Sequence, residues 1–148
     1  EEIKNLVDGA DVIILPTAAQ TRSLELTLEM AEHLKQFNVP FAALLVKVDS
    51  RKAKAAREIR QALEAAEISV LRTQIPLLAA FEKAENAGVT VDQAVSASGK
   101  SDPRRMIGWH AYTKACEEIA GLVPQRTNVV PMHPIGWDTT PLEDRRAA

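Results

Sequence analysis

Apolar positions dominate Ala10-Asp11-Val12-Ile13-Ile14-Leu15-Pro16-Thr17, and a continuous apolar run ended by proline predicts a parallel strand buried on both faces, in the interior of a sheet. A parallel neighbour requires a crossover, and the next stretch supplies one. From Ser23 to about Phe37, Leu24, Thr27, Leu28, Ala31 and Leu34 recur at helical spacing, and Leu26, Met30 and Phe37 widen the stripe. Glu25, Glu29, Glu32 and Gln36 gather on the remaining, solvated face. A second apolar run, Pro40 to Val46, repeats the strand pattern and completes a βαβ unit.

Lys47-Val48-Asp49-Ser50-Arg51 follows, where Asp49 or Ser50 caps a helix running to about Ala66. Ala55, Ile59, Ala62, Leu63 and Ala66 mark its core face, and Arg51, Lys54, Arg57 and Arg60 form a basic stripe opposite. A third strand, Ser69 to Thr73, leads into Gln74-Ile75-Pro76, and a short helix from about Leu77 to Glu85 stops near Gly88. Val91 to Ser101 reads as a surface loop. Asp102-Pro103 then opens a helix whose buried stripe is Ile107, Ala111, Ala115, Ile119 and Leu122. Strand and helix alternate throughout, which predicts an α/β domain: a doubly wound, mostly parallel sheet with helices on both faces. The domain covers residues 1–122. Residues 123–148 hold four prolines without periodicity and read as an extended or disordered tail, with Trp137 as an anchor. Glu1 to Gly9 resembles the tail of a helix, so the chain reads as beginning in mid-domain.

Composition narrows the class. The chain has 148 residues, 46% of them hydrophobic, with a net charge of -2, enough for one core of ordinary size. A sequence pI near 6.0 gives no general attraction to nucleic acid or anionic membranes, so any such binding must be local. The single cysteine, Cys116, excludes an internal disulfide framework and reads as a packing residue in a reducing, cytoplasmic setting. No apolar stretch approaches the roughly 20 residues of a bilayer span.

Candidate chemistry is sparse. His33, His110 and His133 lack the paired spacing of a metal site. No nucleophile elbow, glycine-rich phosphate loop or Walker A motif occurs. On a doubly wound sheet, ligands bind outside the carboxyl ends of the strands, here Pro16-Thr17, Lys47-Val48-Asp49 and Gln74-Ile75-Pro76-Leu77. Asp49 could accept hydrogen bonds from a base edge, or serve only as a helix cap. Pro76 could fix backbone groups beside a ring, or serve only to end a strand. The basic stripe is either a DNA-facing surface or a solvated helix face.

Five stretches, in order, carry a family resemblance: Ala10 to Pro16, Val48-Asp49-Ser50-Arg51, Thr73-Gln74-Ile75-Pro76, Ala84 to Val89, and Ala111-Tyr112 ahead of Glu117-Glu118-Ile119. Across roughly residues 5 to 122 the chain resembles the C-terminal half of ParA-type partition ATPases, the deviant Walker A group that includes Soj and MinD. The resemblance implies a SIMIBI-like P-loop NTPase fold lacking its N-terminal P-loop portion. It implies a protein that forms a homodimer around ATP and Mg²⁺, binds DNA nonspecifically in that state, associates with the nucleoid, and is discharged by a ParB-like centromere-binding protein. The phosphate loop, signature lysine, Mg²⁺-binding residues and Walker B aspartate would lie upstream of Glu1, so this chain alone is expected to bind nucleotide poorly and to have no ATPase activity.

By the same resemblance Lys47, Val48, Asp49, Ile75, Pro76 and Leu77 correspond to the adenine-contacting region. Arg51 corresponds to a DNA-binding arginine, with Lys52, Lys54, Arg57 and Arg60 extending its face. A second such arginine falls on Ala80, and the arginine that often follows Ile-Pro is Leu77. A related cargo-positioning ATPase is the nearest alternative. A MinD-like membrane cycler fits less well, because Pro131 to Ala148 is interrupted by prolines and acidic residues. A non-catalytic, flavodoxin-like interaction domain is the alternative from another class.

Overall fold

The structure, a computed structural model, describes residues 4, 7, 9–96 and 98–123. Most of the helix tail expected before Gly9 and the Pro-rich segment 124–148, with His133 and Trp137, lie outside the described residues. Three strands, β1 (Ile13–Ala18), β2 (Phe41–Val48) and β3 (Val70–Pro76), form one parallel sheet in the order β1-β2-β3. Helix α1 (Thr21–Leu34) joins β1 to β2. A 3₁₀ turn (Ser50–Lys52) and helix α2 (Ala53–Ala65) join β2 to β3. Helix α3 (Ala79–Ala87), a second 3₁₀ turn (Val91–Gln93) and helix α4 (Arg105–Leu122) complete the order.

The strand paired on both sides is β2, and its period-two alternation divides the core. Ala43 and Leu45 point to one face, where Ala31 of α1 and Ile59 and Leu63 of α2 cover them. Ala42 and Leu44 point to the other, where Leu71, Ile75 and Ala115 of α4 complete the packing. Right-handed crossovers moving one strand at a time put α1 and α2 on the same side, leaving the opposite face to α4. Helices therefore cover both faces. Strand β1, expected in the interior, pairs only with β2 among the described residues and is half-buried at Ile13, Ile14 and Leu15.

Two irregularities in the β2–β3 ladder shape the edges of the sheet. Ala43 to Leu45 on β2 is matched by Val70 to Gln74 on β3, so β3 bulges around Leu71–Thr73. Side chains take up the freed backbone groups. Glu118 of α4 accepts from the Arg72 and Thr73 amides, each at 2.7 Å, and from the Thr73 hydroxyl. Arg60 of α2 donates to the Leu71 carbonyl at 2.8 Å. Leu45 to Val48 is matched by Gln74 to Pro76, placing the extra residue on β2, where Lys47 adopts a left-handed φ of 53°.

Several helix faces differ from the sequence expectation. Leu26 and Met30 lie on the exposed side of α1. In α2 the buried positions are Ala56, Ile59 and Leu63, rotated from the expected Ala55 stripe. In α4, Gly108 and Ala115 are buried while Ile107 is 54% exposed. The reason is Gly108: a Cβ there would stand 2.9 Å from Phe81 Cζ, so the helix approaches α3 through its glycine rather than through Ile107. Cys116, expected in the packing, is exposed. Gly88 ends α3 in the left-handed conformation, as its position predicted. Asp102 was expected to cap α4 with Pro103 as its first residue, but the helix starts at Arg105 with Arg104 in the cap position; Asp102 instead closes the turn before it, accepting from the Arg104 amide at 2.8 Å, and pairs with Lys83 of α3.

Candidate functional site

The C-terminal ends of β1, β2 and β3 and the start of α3 enclose a cleft of about 710 Å³, within the range of small-molecule sites. Its walls are largely apolar. Val46, Ile75 and Pro76 come from strand ends, and Phe81 and Tyr112 come from α3 and α4. The two rings meet edge to face, centroids 5.6 Å apart and planes at 84°, a geometry that fixes both against the cleft. Polar groups are few: Lys47 from the β2 bulge, and Glu82 and Glu85 one turn apart on α3. A flat, partly apolar ring with a polar edge matches such a lining.

Lys47, Ile75, Pro76 and Leu77 are brought together here, as their strand-end positions predicted. For a lysine the left-handed backbone costs about 1–2 kcal/mol, and such strain is held where surrounding structure requires it. The pairing across the bulge does so: the Leu77 amide donates to the Val48 carbonyl at 2.9 Å, tying the end of β2 just after Lys47 to the end of β3.

Val48 and Asp49 turn away. Val48 lines a second cleft, on the far side of Pro76. Asp49 caps the 3₁₀ turn, accepting from the Arg51 amide at 3.0 Å, and its carboxylate also receives Arg51 Nε at 3.0 Å and Nη2 at 2.8 Å. The Arg51 side chain and then its amide hold the Asp49 carboxyl down at about 2. Asp49 is therefore occupied by its own turn and does not line the first cleft.

The basic stripe is also rearranged. The side chain of Arg51 is 84% exposed but forked onto Asp49. Lys54 pairs with Glu58 at 3.7 Å. Arg60 is only 21% exposed, reaching Glu64 at 3.7 Å and the Leu71 carbonyl. It serves the β3 bulge and does not belong to a solvent-facing cationic surface. Lys52 and Arg57 are exposed. Three acidic partners within the stripe reduce its attraction for phosphates.

Sequence reasoning missed Phe81, Glu82, Glu85 and Tyr112 of the first cleft. The first three recur at i, i+1 and i+4 directly after the Ile-Pro turn, a signal that was present. Tyr112 was not accessible that way, since only docking of α4 on the sheet brings it there. Among the described residues, no group of three His, Cys, Asp or Glu side chains could hold a metal ion, and no helix is long and apolar enough to cross a membrane. Comparison of the sequence with protein-family models and with curated proteins gave no match.

Proposed function

We propose that this chain supplies the base-binding part of a ParA-like ATPase for plasmid or chromosome partition. The observation that carries the reading is the 710 Å³ cleft at the carboxyl ends of three parallel strands, with the strained Lys47 at its rim and Phe81 and Tyr112 on its wall. That is where an open parallel sheet binds nucleotides. In this reading the cleft takes the adenine. One lysine is there to meet a triphosphate, and the Glu82 and Glu85 carboxylates beside it would repel the phosphates, so the phosphates and their Mg²⁺ are held by residues other than those of this cleft. ATP would close a homodimer, and dimerisation would double a weak cationic surface around Arg51, Lys52, Lys54 and Arg57 so that it holds DNA on the nucleoid. A ParB-like partner would discharge it.

The decisive test combines two measurements. The coding sequence upstream of Glu1 should encode a Lys-Gly-Gly-x-x-Lys-Ser/Thr-like loop, and the protein containing it should bind a fluorescent adenine nucleotide. Tyr112→Ala should weaken that binding roughly tenfold, the scale of one lost stacking contact of about 1–1.5 kcal/mol. An in-frame start at Glu1 with no such loop would overturn the reading and favour a non-catalytic interaction domain.

A further inference from the structure

The second cleft, of about 820 Å³, runs between the outer edge of β3 and α4 and shares only Pro76 with the first. Its α4 wall is made by Ile107, His110, Ala111 and Lys114, spaced i, i+3, i+4 and i+7 along one helix face. Opposite stands Arg72 of β3, and Val48 forms part of the floor. The apolar stripe is therefore flanked by cationic or protonatable groups on both sides. None of the ion pairs among the described residues includes Arg72, His110 or Lys114. The 3₁₀ turn that contributes Ser50 to the lining carries Arg51 and Lys52 beside it.

We infer that this groove is a docking site for an acidic amphipathic segment of a protein partner. Charge complementarity selects the occupant. Carboxylates answer Arg72 and Lys114, while an apolar side chain between them covers Ile107 and Ala111 and withdraws them from water. Ile107 is unusually open for an aliphatic residue in a helix that docks on a core, at 54%, and this occupant is what its position serves. Duplex DNA fits less well, because phosphates would use the cations but leave the apolar floor uncovered. At the far end of the groove Glu118 is held by the β3 amides, and Glu117 lies exposed beside Lys114. An acidic occupant therefore ends before that point. Docking here requires no nucleotide in the first cleft.

The test uses a fluorescent synthetic peptide with Leu and Glu at helical spacing, a second peptide with Gln in place of every Glu, and a labelled DNA duplex, each titrated against the purified protein by anisotropy. The Glu peptide should bind, the Gln peptide should not, and added salt should weaken the complex. Lys114→Gln combined with Arg72→Gln should raise its Kd roughly tenfold or more, and Ile107→Asp should do the same. Arg22→Gln, an exposed cation on α1 outside this groove, should leave it unchanged, and circular dichroism should show every variant folded. Absence of binding, equal binding of the Gln peptide, or variants without effect would each overturn the inference. Duplex binding that is lost in the Arg72 and Lys114 variants, without peptide binding, would reassign the groove to nucleic acid.

Discussion

Glu118 is the one acidic side chain whose loss should be felt across the sheet. It accepts three hydrogen bonds from β3, two from the Arg72 and Thr73 amides at 2.7 Å and one from the Thr73 hydroxyl, at the point where β3 bulges on the edge of the described sheet. Hydrogen bonds to a charged acceptor contribute about 1.5–3 kcal/mol each. Arg72 lies at the exposed edge, where water replaces part of what is lost, so Glu118→Ala should cost about 2 kcal/mol in total rather than the sum of three bonds. For a domain of this size that lowers Tm by roughly 6–10 °C. The charge matters as well as the shape. Burial pushes the Glu118 carboxyl up, but the Thr73 hydroxyl and the two amides outweigh it and hold the group below its ordinary value. The unfolded chain therefore takes up the proton first as pH falls. The stabilisation is complete above the unfolded pKa and disappears as pH drops through the lower folded one. Glu118→Gln resembles the protonated state, so its Tm deficit at pH 7 should shrink towards zero in acid. Thermal melts followed by far-UV circular dichroism across the acid range would show this. An unchanged melt for Glu118→Ala at pH 7, or a Glu118→Gln deficit independent of pH, would refute this role for the bulge.

Three further outcomes are expected. Gly108→Ala places a Cβ 2.9 Å from Phe81 Cζ and 3.0 Å from Val91 Cγ2; overpacking of about 1–3 kcal/mol should exceed the ~1 kcal/mol gain in helix propensity, so urea unfolding should show a lower midpoint. Lys47→Gly relieves the left-handed backbone at φ 53° and should raise stability by about 1 kcal/mol while weakening nucleotide binding in a protein that carries the phosphate loop. Arg51→Ala removes the fork from Asp49, so its carboxyl, held at about 2, should titrate nearer the ordinary aspartate range by NMR; paired with Lys54→Ala, it should also lower DNA affinity and flatten its salt dependence if the α2 face contacts phosphates.

The alternation of apolar runs with helical stripes was enough to specify three parallel strands, helices on both faces, the Asp49 cap and the left-handed stop at Gly88. Each depends on residues a few positions apart, whose burial period or local hydrogen bonds the chain carries in its own order. The strand-end location of Lys47, Ile75, Pro76 and Leu77 came from the same logic. What escaped depended on partners far apart in sequence or on the register of neighbouring strands. The two ladder bulges turned Lys47 into the first cleft and committed Arg60 to a carbonyl of β3. Glu118 reached β3 from 45 and 46 residues away. Gly108 rotated α4 so that Ile107 faced outward, which no periodicity could show because the controlling contact is a phenylalanine ring on another helix. Asp49 and Arg51 were visible as polar residues at a strand end. Only the folded turn, by closing one upon the other, decided that neither stands free.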